Sequence, residues 1–286
     1  MDLPILAPTY AEQLLSARQD MQETVTTSLD LGLSQVDVTV TAEGVVLPGG
    51  ERVDWSAIAH VAAAVGYVGG RCFVLRDGGA PEEIAVFSET TNRRCSLTAT
   101  MGAPTLLVAG IQMHRTTGMD PLADTRLKVR AAAPIRGRVL DTTTGLGYTA
   151  IEAARSAGSV VTIELDPAVL EVARLNPWSR DLFANPMISQ LVGDSFELIR
   201  ELEDGSFSRV IHDPPVFALA GQLYSGEFYR HLYSVLGERG RLFHYIGNPS
   251  SGSGARVTRG VIRRLREAGF SRVIGRPETF GVAAYK

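Results

Sequence analysis

Lysine is almost missing from this chain. Of its 28 basic residues, only Lys128 and Lys286 are lysine and the rest are arginine. Cysteine is limited to Cys72 and Cys95, too few for a four-thiolate zinc site. A disulfide between them stays open, with a reduced pair the expected state. No apolar run approaches the roughly 20 residues needed to span a bilayer. The start, Met1-Asp2-Leu3-Pro4, has no basic segment and no long apolar stretch, so no signal peptide is expected and a soluble, cytoplasmic protein is. Charge of one sign is not in excess either: a net charge of −3 over 286 residues excludes a global polyanion-binding signature. No internal repeat or low-complexity tract interrupts the chain. With 45% hydrophobic and 21% charged residues, a folded core is expected rather than disorder. The length fits one large domain or two modest ones.

The charge is unevenly spread. Residues 1–120 carry 7 arginines and 14 acids, whereas residues 121–286 carry 21 basic residues and 17 acids. The preference for arginine reads first as codon usage in a GC-rich genome.

The densest information lies in Val-Leu-Asp-Thr-Thr-Thr-Gly-Leu-Gly-Tyr-Thr, residues 139–149. An apolar, β-branched run ends in Asp141, two glycines follow, and a helical pattern begins at Tyr148. Gly145 and Gly147 let the backbone pass close to a ligand where a Cβ would clash, and the helix start behind them offers unpaired N–H groups. One βαβ step later, Val160-Val161-Thr162-Ile163 ends in Glu164, where a carboxylate can accept both hydroxyls of a ribose. Ile188–Val192 leads to Gly193-Asp194-Ser195, and Arg209–His212 leads to Asp213-Pro214-Pro215. Four successive strands thus end in an acid, and in open α/β sheets ligands bind outside the carboxyl ends of the strands. Each acid taken singly reads as a helix cap or a solvated loop charge.

On these residues, 135–286 resemble the class I S-adenosylmethionine-dependent methyltransferase domain. Its nucleotide loop is Asp/Glu-x-Gly-x-Gly-x-Gly: Asp141, Gly145 and Gly147 match, and Thr143 stands at the first glycine position. The whole chain also resembles an uncharacterised group of predicted prokaryotic methyltransferases. The resemblance implies an α/β fold, a Rossmann-like seven-stranded sheet whose last strand is antiparallel, with S-adenosyl-L-methionine as cofactor. Asp141, Thr143, Gly145 and Gly147 would hold its methionine end and Glu164 its ribose. Asp194 and Ser195 would face the adenine, with Leu165 and Phe196 as apolar walls. Asp213-Pro214-Pro215 resembles the Asn/Asp-Pro-Pro-Tyr/Phe motif of amino-methyltransferases, in which the acid or amide and a proline carbonyl accept hydrogen bonds from an –NH2 group. The prolines fix the chain and remove competing N–H donors. The sequence departs at the fourth position, where Val216 replaces the aromatic and Phe217 comes one residue late.

Residues 1–110 read as a small α+β N-terminal domain. Ala11–Asp20 suits a short helix, Gln35–Thr41 and Val45–Leu47 short strands, and Asp54 a cap for a helix from Trp55 to about Val65. Arg71–Leu75 and Glu83–Phe87 flank Asp77-Gly78-Gly79, a hairpin signal, and Thr105–Ala109 is a further apolar run. Residues 111–134 form a connector whose helix starts at Asp120-Pro121 and runs through Lys128 to Ala131. Beyond Asp213 the pattern predicts a helix over Gly226–Leu236, a strand over Arg241–Ile246, a helix over Ala255–Ala268 closed by Gly269, and strands over Ser271–Ile274 and Thr279–Tyr285. Gly247–Gly254 reads as the most flexible segment.

Arg115, Phe217 and Tyr224 are candidate acceptor-binding residues, against surface or core roles. His212 and His244 read as packed histidines, with no metal-ligand spacing between them. Trp178 reads as a packing anchor. On the last helix Val257, Val261, Ile262, Leu265 and Ala268 share one side, and Arg256, Arg259, Arg263 and Arg266 the other. That second face is either a solvated charged surface or a phosphate-tracking stripe. The functional expectation is methyl transfer to an amine nitrogen, with an RNA base as the candidate acceptor and a homo-oligomer left open. Two alternatives stand beside it: a polyamine aminopropyltransferase using decarboxylated S-adenosylmethionine, though its Gly-Gly-Gly-Asp-Gly loop is absent, and a non-catalytic nucleic-acid-binding relic.

Overall fold

The computed structural model describes residues 3–66, 68–76, 79–248 and 251–286. It divides into two compact units, one of residues 1–122 with 171–178 and one of residues 123–170 with 179–286.

The second unit is built on a seven-stranded sheet. Its strands, numbered within this sheet, are β1 Arg138–Asp141, β2 Ser159–Glu164, β3 Ile188–Val192, β4 Phe207–His212, β5 Leu236–Tyr245, β6 Arg272–Arg276 and β7 Gly281–Tyr285. Their order is β3-β2-β1-β4-β5-β7-β6. β1 pairs in parallel with both β2 and β4, while β7 runs antiparallel to β5 and β6. The short β-branched runs become parallel strands because both of their faces are covered. Over one face, Leu140, Val210 and Leu242 join Phe228, Tyr229 and Leu232 of the helix Gly226–Val235 and Val261 and Leu265 of the helix Gly252–Glu267 in one buried cluster. The amphipathic reading of that last helix holds: Val261 and Leu265 are buried, and Arg256, Arg259, Arg263 and Arg266 are exposed. Strand order reverses between β1 and β4, which makes the carboxyl edge there the crevice where such sheets bind ligands.

The first unit contains three small antiparallel sheets. Leu6, Leu14, Val38, Val45, Trp55, Ile58, Val61 and Phe73 form its core. Several elements differ from the sequence expectation. The first helix is Pro8–Gln19, begun three residues early by a proline at its first position. The second stops at Ala62, and the Asp54 side chain makes no cap bond; it pairs with Arg52 at 3.2 Å. Phe73–Val74 pairs with Glu82–Glu83, but Ala85–Ser88 belongs to a different sheet, so the expected single strand breaks at Ile84. The hairpin turn at Asp77 and Gly78, like Pro249 and Ser250 of the flexible-looking segment, lies outside the described residues. The strands Thr24–Thr27 and Arg93–Thr98 had no counterpart in the sequence reading.

Gly145 and Gly147 have separate reasons to be glycine. Both take positive φ, +54° at Gly145 and +77° at Gly147. A Cβ on Gly147 would meet the Leu182 side chain at 2.6–2.9 Å, whereas one on Gly145 would have nothing within 4 Å. Gly147→Ala is therefore expected to lose about 2–3 kcal/mol through overpacking and strain, and Gly145→Ala only about 1 kcal/mol of backbone strain. Paired thermal melts check this; equal losses would contradict it.

Candidate active site

The crevice between β1 and β4 is closed at its floor by hydrogen bonds from the threonine run. Thr142 N–H donates to the Ile211 carbonyl at 3.1 Å, and Thr143 Oγ1 donates to the Asp213 carbonyl at 2.8 Å. Thr143 thus ties the glycine loop to the Asp-Pro-Pro turn. Thr142 Oγ1 donates to His212 Nδ1 at 2.6 Å, while His212 Nε2–H donates to the Leu223 carbonyl at 3.0 Å. His244 Nδ1–H donates to the His212 carbonyl at 3.3 Å, and its Nε2 accepts from Tyr229 OH at 2.9 Å. Burial holds His212 down at about 3 and His244 well below the ordinary imidazole range. Both are neutral braces, as packed histidines should be, and neither is a base.

Asp141 is buried at the end of β1. Thr162 Oγ1 donates to its Oδ2 at 2.8 Å, the Thr143 backbone amide also pulls on the carboxyl, and its buried Oδ1 has no well-formed hydrogen bond within the described residues. Burial pushes the carboxyl up to about 8, against the pull of the Thr162 hydroxyl; the charges of Asp213 and Glu164 add to the rise. Glu164 ends β2 with both oxygens in use: Gly145 N–H donates to Oε2 at 2.8 Å and Asp166 N–H to Oε1 at 3.1 Å. Burial raises it to about 7, opposed by those amides. The same carboxylate assigned to a ribose from sequence therefore also shapes the glycine loop.

Asp194 caps the helix Ser195–Leu198 by accepting from Phe196 N–H at 2.8 Å. Ser195 is buried and its hydroxyl donates to the Thr142 carbonyl, which makes it a brace beneath the loop rather than a side chain presented to adenine. Apolar side chains do reach solvent along this edge. Leu165 is 41% exposed and Val192 56%, each at the carboxyl end of its strand, and Val216 at 43% and Phe217 at 53% follow β4. Exposed apolar residues gathered at one strand edge suit a ligand that covers them.

Asp213 follows β4. Tyr224 OH donates to the Pro215 carbonyl at 3.0 Å, and the Phe217 ring stands edge-on to Tyr224 at 5.4 Å. Tyr224 is 2% exposed, so it supports the turn from beneath instead of lining an acceptor pocket. Arg115 falls in the first unit. The residue that sequence reasoning missed is Lys128. Its ammonium lies 2.6 Å from Asp213 Oδ2 and 3.0 Å from Asp124 Oδ2, and 4.3 Å from the centroid of the Tyr245 ring. The Asp124/Lys128 spacing, one helical turn, was the available signal. Among the described residues no cluster of three or more His, Cys, Asp or Glu is arranged to hold a metal. No helix among them is long and apolar enough to cross a membrane.

No family model matches the chain. It is 44% identical over 219 residues to the uncharacterized protein MJ1233 of Methanocaldococcus jannaschii, covering 76% of this chain and 74% of that protein. The chain belongs to the family of that protein. It is 33% identical over 138 residues to a polyamine aminopropyltransferase of Mycobacterium tuberculosis; the match spans 44% of this chain and only a quarter (25%) of that enzyme. Among solved structures, a spermidine synthase in complex with the transition-state analogue AdoDATO matches with a TM-score of 0.58 at 19% identity, over 76% of this chain and 75% of that one. The fold is therefore shared with that spermidine synthase structure, and the seven-stranded α/β sheet agrees with the sequence expectation.

The residues fit an adenosyl donor on their own geometry: an orphaned buried carboxylate oxygen at Asp141, open space above Gly145, and exposed apolar side chains beside Glu164. Both raised carboxyls also give the fold a pH dependence. The folded chain keeps protons on Asp141 and Glu164 that the unfolded chain releases near 3.8 and 4.5. Their contribution is thus most favourable below those values and declines as pH rises towards 7 and 8, by about 1.4 kcal/mol per pH unit for each group. Urea unfolding across this range should show the decline, and Asp141→Asn should flatten it. A variant with the wild-type slope would show that Asp141 does not carry it.

Proposed function

We propose that this protein transfers a methyl group from S-adenosylmethionine to an amine nitrogen. The observation that carries the reading is the Asp213-Pro214-Pro215 turn at the sheet's switch point, pinned by Thr143 on one side and Tyr224 on the other. When bound, the donor supplies an electrophilic methyl on a sulfonium. The chain's part is to place donor and acceptor in line. On meeting the donor's ammonium, Asp141 would give up its proton and accept the ammonium at Oδ1, and Glu164 would meet the ribose. Leu165 and Val192 would cover the adenine. Asp213 would accept an N–H of the acceptor amine and so turn the nitrogen lone pair towards the methyl, and the prolines leave no N–H there to compete.

Aminopropyl transfer from decarboxylated S-adenosylmethionine is the second reading, supported by the mycobacterial relative and the spermidine synthase fold. It asks an acid of the fourth-strand loop to take a proton from an ammonium. Asp213 is instead committed to Lys128 at 2.6 Å, and protonating it would strip a buried ammonium of one of its two counter-charges. The ion pair suits a hydrogen-bond acceptor better than a base, which favours an amine that is uncharged at neutral pH. A nucleobase amine is one such acceptor. The relatives named above supply no support for RNA; the exposed arginine face of the last helix is its only support, and a homo-oligomer is likewise left to measurement.

Calorimetric titration with each donor tests the choice. S-adenosylmethionine is expected to bind more tightly than its decarboxylated form, and the reverse order would move the reading to polyamines. With labelled donor, Asp213→Ala should cut methyl transfer by about 100-fold or more, as misplaced acceptors do, while leaving donor affinity nearly unchanged. Undiminished transfer would refute the role given to the turn.

A further inference from the structure

We propose that Lys128 and Asp124 form a buried positioning pair that holds Asp213 in one orientation, as an anion, towards the acceptor amine. The inference rests on the role given to Asp213 above and adds the device that sets it. The three side chains form a graded series: Asp124 is 0% exposed, Lys128 1% and Asp213 15%. Charge buried in the helix Pro121–Ala132 is thereby delivered to the one member that reaches the crevice.

Stability alone does not account for the pair. Removing a carboxylate and an ammonium from water costs several kcal/mol for each ion, and apolar residues of similar volume commonly serve as well or better. Composition points the same way. The chain uses arginine at all but two of its cationic positions, yet this one is lysine. A compact ammonium with three rotatable donors can face Asp124, Asp213 and the Tyr245 ring together, which a planar guanidinium fork cannot. Burial works against the charged form of Lys128, but the two carboxylates more than offset it, and the ammonium holds its proton more firmly than an ordinary lysine. The other titratable groups that sense Asp213 are Asp141 from β1, Tyr224 from the turn's underside and, through Lys128, Tyr245 from β5. Lys128 thus supplies a cation directly at Asp213 Oδ2, on the carboxylate that would accept the amine N–H.

The near-absence of lysine makes the test clean. In this 286-residue chain labelled with 15N-lysine, only Lys128 and Lys286 contribute side-chain signals. The Lys128 ammonium should be protected from exchange and should shift on Asp213→Asn, while Lys286 stays in place. An unshifted signal would overturn the pairing whatever the reaction proves to be. The joint substitution Lys128→Met with Asp124→Asn removes both helix charges at similar volume, and Lys128→Arg keeps the cation. The joint variant should bind S-adenosylmethionine within about threefold of wild type, since donor contacts are untouched, but its transfer rate should fall about tenfold or more, with the acidic limb of its pH profile moved up by about one pH unit. Lys128→Arg should restore the position of the limb but not the full rate. A joint variant with wild-type rate and pH profile would overturn the positioning role. Absence of methyl transfer in the wild type, with the lysine signals coupled as described, would instead sink the functional reading and leave the pair standing.

Discussion

The candidate site depends on how the gap between β1 and β4 is closed. At this point the chain has built strands to one side and must begin building to the other, so no βα connection covers the carboxyl edge. Three consecutive threonines supply the closure. Thr142 and Thr143 reach across to β4 and to Asp213, and Thr144 bonds Thr162 at 2.7 Å on the β2 side. Small side chains with one hydroxyl each can do this from a tight loop without filling the crevice above it. The neutral histidines beneath continue the same network into β5, which explains why two imidazoles are buried without a charge to neutralise.

Above that floor the edge is crowded with acid: Asp141 senses the charges of both Asp213 and Glu164. The structure handles the three differently. Glu164 is satisfied by loop amides, Asp213 by a lysine drawn from a helix that precedes the sheet, and Asp141 keeps one buried oxygen without a well-formed hydrogen bond. In a low-dielectric setting that last arrangement is costly for the bare protein and favours a cationic group brought in from outside. The proposed donor contact and the expected pH dependence of stability would then have the same origin.

Much of the second unit was legible in the sequence because its signals are local. A β-branched run followed by an acid, repeated at one βαβ step, marks the strand ends, and the helix over Gly226–Val235 and the arginine-faced last helix follow from spacing. β5 was read short because Leu236-Gly-Glu-Arg-Gly has none of the composition of a strand; its pairing with Phe207 is a tertiary event. The first unit was less legible. Arg93–Thr98 alternates poorly and owes its strand to neighbours on both sides, and Ala85–Ser88 leaves the line of Glu82–Glu83 to join it.

The sequence by itself determined the fold class and the four strand-end acids, since periodicity and turn chemistry are written in neighbouring residues. What each acid does was decided only by tertiary structure. Lys128 lies 85 residues from Asp213, and Thr143 lies 70 residues from the carbonyl it holds. Ser195 and Tyr224, which looked like ligand contacts, became braces because their hydroxyls found backbone carbonyls once the chain had folded. A residue's type and its place on an element are local properties. The partner that claims its polar atoms, and so whether it faces a ligand, depends on chain segments that only folding brings within hydrogen-bonding distance.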